Sequence, residues 1–179
     1  MKKIPAWLLL CIIALVAGLA LGFTNELTKD EIARQEVAAN EEARKKVMSE
    51  ADEFVELKVP ADSGVDYCYE AKKGGETIGY VVKATEGGYG GPIEVTVGID
   101  TEGRITGISC GGSNFSETAG LGAKVKEDAF SGQFAGMQAP VSLKKDDGNV
   151  DSVTAASRSS GAVCRAVNRA CEFVATVGK

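Results

Sequence analysis

The chain of 179 residues contains no histidine. That absence removes His-ligated zinc and haem, the Ser-His and Cys-His catalytic pairs, and a histidine pH switch. Acid–base catalysis would have to run on carboxylates, Lys or Tyr, and no constellation of these stands out. No Cys-x-x-Cys pair occurs among the five cysteines, Cys11, Cys68, Cys110, Cys164 and Cys171, which argues against a zinc ribbon or an iron–sulfur cluster built on this chain. An excess of positive charge is also missing. The formal net charge is −5, so the chain offers no footprint for a phosphate backbone and nucleic acid is not an expected partner.

Cys164 and Cys171 lie in one expected helix, about 10 Å apart along its axis, too far to bridge each other. Bridges between either of them and Cys68 or Cys110, or between Cys68 and Cys110, stay open beside the reading of small buried apolar residues.

What is present begins with Ile4–Phe23, twenty residues without a charge. At about 1.5 Å per helical residue this covers roughly the 30 Å hydrocarbon core of a bilayer. Lys2 and Lys3 favour holding the N-terminus in the cytoplasm, with Lys29 and Arg34 opposing them weakly. A cleavable signal peptide competes, because Gly18-Leu-Ala20 resembles a small-x-small cleavage site. We favour the anchor, and either reading exports the remainder. Residues 1–24 are thus expected to be a transmembrane anchor, 25–60 a helical stalk and 61–179 an extracytoplasmic domain.

Thr28-Lys-Asp-Glu31 reads as a capping box that starts the stalk helix. Ala39, Ala43, Val47, Ala51 and Phe54/Val55 follow as a helical stripe to about Leu57. The stripe suits docking on the domain, and a partner helix is the alternative. From Val65 the pattern turns to strand, with Gly74-Gly75 as a hairpin turn between Val65–Lys72 and Thr77–Thr85. Gly87-Gly-Tyr-Gly-Gly91 is a break, read either as a plain loop or as a ligand contact. Ile93, Val95, Val97 and Ile99 alternate cleanly, and Arg104–Cys110 returns after the turn at Asp100–Gly103. The expectation is an α+β domain, an antiparallel sheet of about four strands packed by helices. A short helix is predicted at 124–134, a strand at 141–144, and a C-terminal helix from Ser159 to Val177. Val163, Val167, Ala170, Val174 and Val177 form that last helix's packing stripe.

Asp151-Ser-Val-Thr-Ala-Ala-Ser157-Arg-Ser-Ser160 sets five hydroxyl residues between an acidic residue and the start of this helix. Hydroxyls there either cap free amides or hold a phosphate. The segment resembles the flavinylation motif of the FMN-binding domain family, Asp-x-x-(Ser/Thr)-Gly-Ala-(Thr/Ser)-x-(Ser/Thr), with Ala155 standing where Gly is usual. Ser116-Glu-Thr-Ala-Gly-Leu-Gly122 resembles the family's Ser-Glu-Thr-Pro-Gly-Leu-Gly loop, with Ala119 in place of Pro. Gly90–Asp100 has the family's look as well. Among relatives, the short chain with one apolar segment is most similar to the G subunits of Rnf-type, ion-translocating ferredoxin:NAD+ oxidoreductase complexes, and next to the C subunits of Na+-translocating NADH:quinone reductases.

The resemblance implies covalent FMN on Ser157 through a phosphoester bond, installed from FAD by a flavin transferase. It also implies an electron-transfer role beside the other membrane subunits of an Rnf-type complex in the cytoplasmic membrane. Thr154, Ser159, Ser160 and Gly161 are the candidates to hold the phosphate. Glu117, Thr118, Leu121 and Gly122 are the candidates for the flavin ring, since a Gly-rich backbone approaches a flat cofactor closely. Two other classes stay in view: a stand-alone exported flavoprotein, and a membrane-anchored interaction module whose Ser-rich turn only caps a helix.

Overall fold

In the computed structural model, residues 5–177 are described. Lys2 and Lys3, on which the orientation of the anchor partly rests, and Ile4, where its uncharged run begins, lie outside them. The chain divides into two compact units, one ending at Ala38 and one beginning at Ala39.

Helix α1 runs over Ala6–Val47. Its N-terminal half is built of Ala and Leu, strong helix formers, interspersed with Ile, Val and Gly. The stretch is long and apolar enough to cross a membrane. Its large side chains from Trp7 through Leu27 are exposed, an apolar surface that belongs in lipid. The expected capping box does not form. The helix is already running at Thr28, whose hydroxyl donates back to the Thr24 carbonyl at 3.1 Å.

α1 ends at Val47 rather than near Leu57, and Glu53–Leu57 is a strand, β1. Phe54 packs with Val47 and Met48, whereas Leu57 packs on the main core. A spacing of three that imitates one helical stripe is, in a strand, two opposite faces.

The sheet therefore has five strands rather than about four. β1 is followed by β2 (Tyr67–Lys73), β3 (Glu76–Gly87), β4 (Pro92–Asp100) and β5 (Ile105–Gly111), an antiparallel meander in chain order. Gly74 and Gly75 make the β2–β3 turn with φ of 59° and 87°, the left-handed geometry of a tight hairpin. Ile93, Val95, Val97 and Ile99 are fully buried, as their alternation predicts. Against this face lies α3 (Ser157–Val177), whose Val163, Val167, Ala170 and Val174 are buried. Val177, the last residue of the expected stripe, is exposed.

The predicted helix at 124–134 is divided into a 3-10 turn at Gly122–Lys126, α2 at Asp128–Ser131 and a second 3-10 turn at Gly132–Phe134. The predicted strand at 141–144 is not a strand. One bridge joins Leu143 to Val150, and the Asn168 side-chain amide takes the place of a neighbouring strand for Val141, accepting from its N–H at 2.7 Å and donating to its carbonyl at 2.9 Å. All five cysteines are free, with Cys68, Cys110 and Cys164 buried and Cys171 half-buried. On the sheet's other face, the Arg44 guanidinium covers the Tyr69 ring at 4.3 Å, and Lys83 pairs with Glu94 beneath Asn40.

Candidate cofactor site

Three segments distant in sequence meet at the carboxylate of Glu117, which is buried. Its Oε1 accepts the N–H of Tyr89 at 2.7 Å and of Gly90 at 3.1 Å. Its Oε2 accepts the Ser159 hydroxyl at 2.9 Å. One side chain thus ties the Gly-rich β3–β4 turn and the first turn of α3 to the loop after β5. Further bonds close the junction. The Ser116 hydroxyl donates to the Gly90 carbonyl at 2.9 Å, and Arg158 Nε donates to the Gly88 carbonyl at 3.0 Å. Close approach explains the glycines: a Cβ on Gly88 would collide with Glu117 and Ile93, and one on Gly122 with Glu117 and Ser159.

Ser157 is the first residue of α3, inside the helix rather than just ahead of it, and is exposed. Ser160 N–H is bonded to the Ala156 carbonyl at 2.9 Å. The amides before it, of Ser157, Arg158 and Ser159, precede the first intrahelical bond and face the positive end of the helix dipole outward. Ala155 explains the family's preference at its position, since its φ of 59° is a left-handed conformation that glycine adopts at less cost. The motif's entrance is clamped by Gln133, which accepts the Asp151 N–H at 2.8 Å and donates to the Asp151 carbonyl at 3.2 Å. Lys144 pairs with the Asp151 carboxylate at 2.7 Å. Beside this segment runs an open groove of about 300 Å³ between Lys124, Phe130 and Gln133 on one wall and Asp151–Thr154 on the other.

The sequence candidates are brought to one end of the sheet, but they divide by orientation. Ser157, Thr154, Thr118 and Leu121 are exposed. Ser159 and Ser160 face inward. Ser159 is committed to Glu117, and the Ser160 hydroxyl accepts the Val153 N–H at 3.0 Å while donating to the Ala156 carbonyl at 3.0 Å. Glu117 and Gly122 are likewise buried, and Gly161 is half-buried. Sequence reasoning missed Gln133 and Arg158, and gave no role to the amides of Tyr89 and Gly90. Only the glycine-flanked tyrosine carried a signal that could have found any of them.

The FMN-binding domain family matches residues 88–172, and the RnfG N-terminal region matches residues 8–47. The G subunit of the proton-translocating ferredoxin:NAD(+) oxidoreductase complex of Clostridium ljungdahlii is 32% identical over 171 residues, covering 93% of this chain and 89% of that protein. The chain belongs to this family of G subunits. Other relatives in the family agree. The G subunit of the Na(+)-translocating ferredoxin:NAD(+) oxidoreductase complex of Acetobacterium woodii is 32% identical, with 96% of this chain and 91% of that one covered. The G subunit of the ion-translocating oxidoreductase complex of Methanosarcina acetivorans is 31% identical over 91% and 89%. In fold, the chain is similar to the crystal structure of the C subunit of Na(+)-translocating NADH-quinone reductase from Parabacteroides distasonis. The TM-score is 0.56 at 20% identity, covering 78% of this chain and 83% of that one.

The residues of the site fit FMN. An exposed hydroxyl beside free helix amides suits a phosphate ester. The exposed side chains of Tyr89 and Leu121, on two loops that Glu117 joins, suit a flat, partly apolar ring.

Proposed function

We propose that this protein is the flavin-carrying electron-transfer subunit of an Rnf-type ferredoxin:NAD+ oxidoreductase complex, with FMN joined to Ser157 by a phosphoester bond. The observation that carries the reading is the exposed Ser157 hydroxyl at the first position of α3, one residue from the bonded junction of Arg158, Gly88 and Glu117. The amides of Ser157–Ser159 and the Thr154 hydroxyl hold the phosphate. Leu121 and Thr118 meet the ring, while Glu117, Gly122, Ser159 and Ser160 hold the loops that carry these groups. FMN, once attached, would supply the electron uptake and release.

A serine hydroxyl is a poor nucleophile unless a base activates it, and the chain has no histidine. Attachment is therefore assigned to a separate flavin transferase, as the resemblance to the flavinylation motif implies. Ser157 Oγ forms a P–O bond with the FMN phosphorus of FAD, the pyrophosphate P–O bond breaks, and AMP leaves. The hydroxyl proton passes to a base of the transferase. α1 anchors the protein in the cytoplasmic membrane with the sheet domain on the extracytoplasmic side, alongside the complex's other membrane subunits.

The reading is tested by expressing Ser157→Ala with the host's flavin transferase. Flavin fluorescence that survives denaturing electrophoresis should vanish in the variant. Retention of covalent flavin by Ser157→Ala would refute the assignment.

A further inference from the structure

Among the described residues of the unit beginning at Ala39, the exposed large hydrophobic side chains are Tyr89, Leu121 and Val177, and Tyr89 is the most open at 75%. Val177 closes α3 at the far end of the domain. Tyr89 and Leu121 instead sit on the two loops that Glu117 joins. A free aromatic on a mobile loop would need no explanation. The turn that carries Tyr89 is fixed, however. Its N–H and that of Gly90 are held by the Glu117 carboxylate, and Gly88 N–H is bonded to the Gly91 carbonyl at 2.8 Å. Gly88, Gly90 and Gly91 leave no room for a Cβ against Glu117 and Ser116. Arg158, the neighbour of Ser157, grips the same turn at the Gly88 carbonyl.

A tyrosine whose backbone is immobilised loses little further freedom when its ring is covered. Apolar area held out from a rigid turn, on a loop tied to the one that carries a second exposed apolar side chain, is a surface for a flat partner. We propose that Tyr89 is a flavin-ring contact that stacks on the isoalloxazine, and that Glu117 and Arg158 are positioning residues that hold its turn against the α3 terminus. The inference rests on FMN being carried at Ser157. It assigns Tyr89, rather than Glu117, to direct contact.

A stacked phenol quenches flavin fluorescence by donating an electron to the excited ring, so emission reports the contact without any turnover. The full-length protein, loaded with FMN and held in detergent, should show a several-fold longer flavin lifetime for Tyr89→Leu than for the wild type. Loading of Ser157, read by mass, should be unchanged. Tyr89→Phe keeps the ring but lacks the easily oxidised phenol, and should also lengthen the lifetime while retaining protection of the flavin from iodide. Flavin present on Ser157, with lifetime and iodide access unchanged in both variants, would overturn the inference alone and make Tyr89 a contact for another protein of the complex. Wild-type protein without flavin would overturn the proposed function and this inference together.

Discussion

Truncating Glu117 to alanine removes the acceptor of three donors at once. Two of them, the amides of Tyr89 and Gly90, belong to exposed residues, so water can replace much of what they lose. The third, the Ser159 hydroxyl, is 1% exposed, and a buried donor left unpaired costs about 1–3 kcal/mol. Together with the space vacated between Gly88 and Gly122, Glu117→Ala should lose about 2–3 kcal/mol of stability. Glu117→Gln keeps a carbonyl for the amide pair and turns its NH₂ to Ser159, whose hydroxyl can rotate to accept it. It should lose only about 1 kcal/mol.

Urea unfolding of the full chain in detergent, followed by near-ultraviolet dichroism of the tyrosines, is the assay. The single tryptophan, Trp7, lies in α1 and does not report on the sheet. At a slope of about 2 kcal/mol per molar, the midpoint of Glu117→Ala falls by about 1 M. Adding Ser159→Ala to it should cost little more, because the orphaned hydroxyl goes with it. A Glu117→Ala midpoint equal to wild type, or strictly additive losses in the double variant, would refute the role of Glu117 in joining the three segments.

Other predictions concern the motif and the thiols. Ala155→Gly relieves the left-handed backbone at φ 59°, and should stabilise the protein by about 1 kcal/mol, a rise of about 2–4 °C in a thermal melt; a lower melting temperature would contradict it. Burial pushes the Cys110 thiol up to about 12, and the thiols of Cys68, Cys164 and Cys171 up to about 11 each. Native protein treated with iodoacetamide near pH 8 should therefore leave Cys68, Cys110 and Cys164 unmodified until urea is added, as mass mapping will show. The same thiols link stability to pH. Each keeps its proton in the fold to a higher pH than in the unfolded chain, so its contribution is complete below about pH 9 and is lost as pH rises through 11 to 12. Urea midpoints should fall between about pH 9 and 10.5, and a rise would contradict the sign.

The parts of the fold visible in the sequence were those with a single repeating environment. Ile93–Ile99 alternates because one face meets α3, and Val163–Val174 repeats because one helical face meets the sheet. β1 was hidden because Ala51, Phe54 and Val55 satisfy helical spacing by coincidence, and no Gly or Pro marks the end of α1 at Val47. The false capping box shows the same limit. Thr28-x-x-Glu31 caps only where a helix begins, and the preceding apolar run is already helical. At the site, the motif located Ser157 and the loop, but not the direction of each side chain. Ser159 and Ser160 turn inward because the Glu117 carboxylate accepts from the one and the Val153 N–H donates to the other. Those partners lie 42 and 7 residues away, and no local pattern announces them. The clamp of Gln133 on Asp151 is equally a product of the folded chain.

The most direct test of the central claim is the intact mass, with peptide mapping, of the protein purified from its own host's membranes. An increment of FMN less one water is expected on the peptide bearing Ser157, and none on Thr154 or elsewhere. An unmodified Ser157 peptide from a host with a working flavin transferase would contradict it, leaving the Ser-rich turn as a helix cap on a membrane-anchored module.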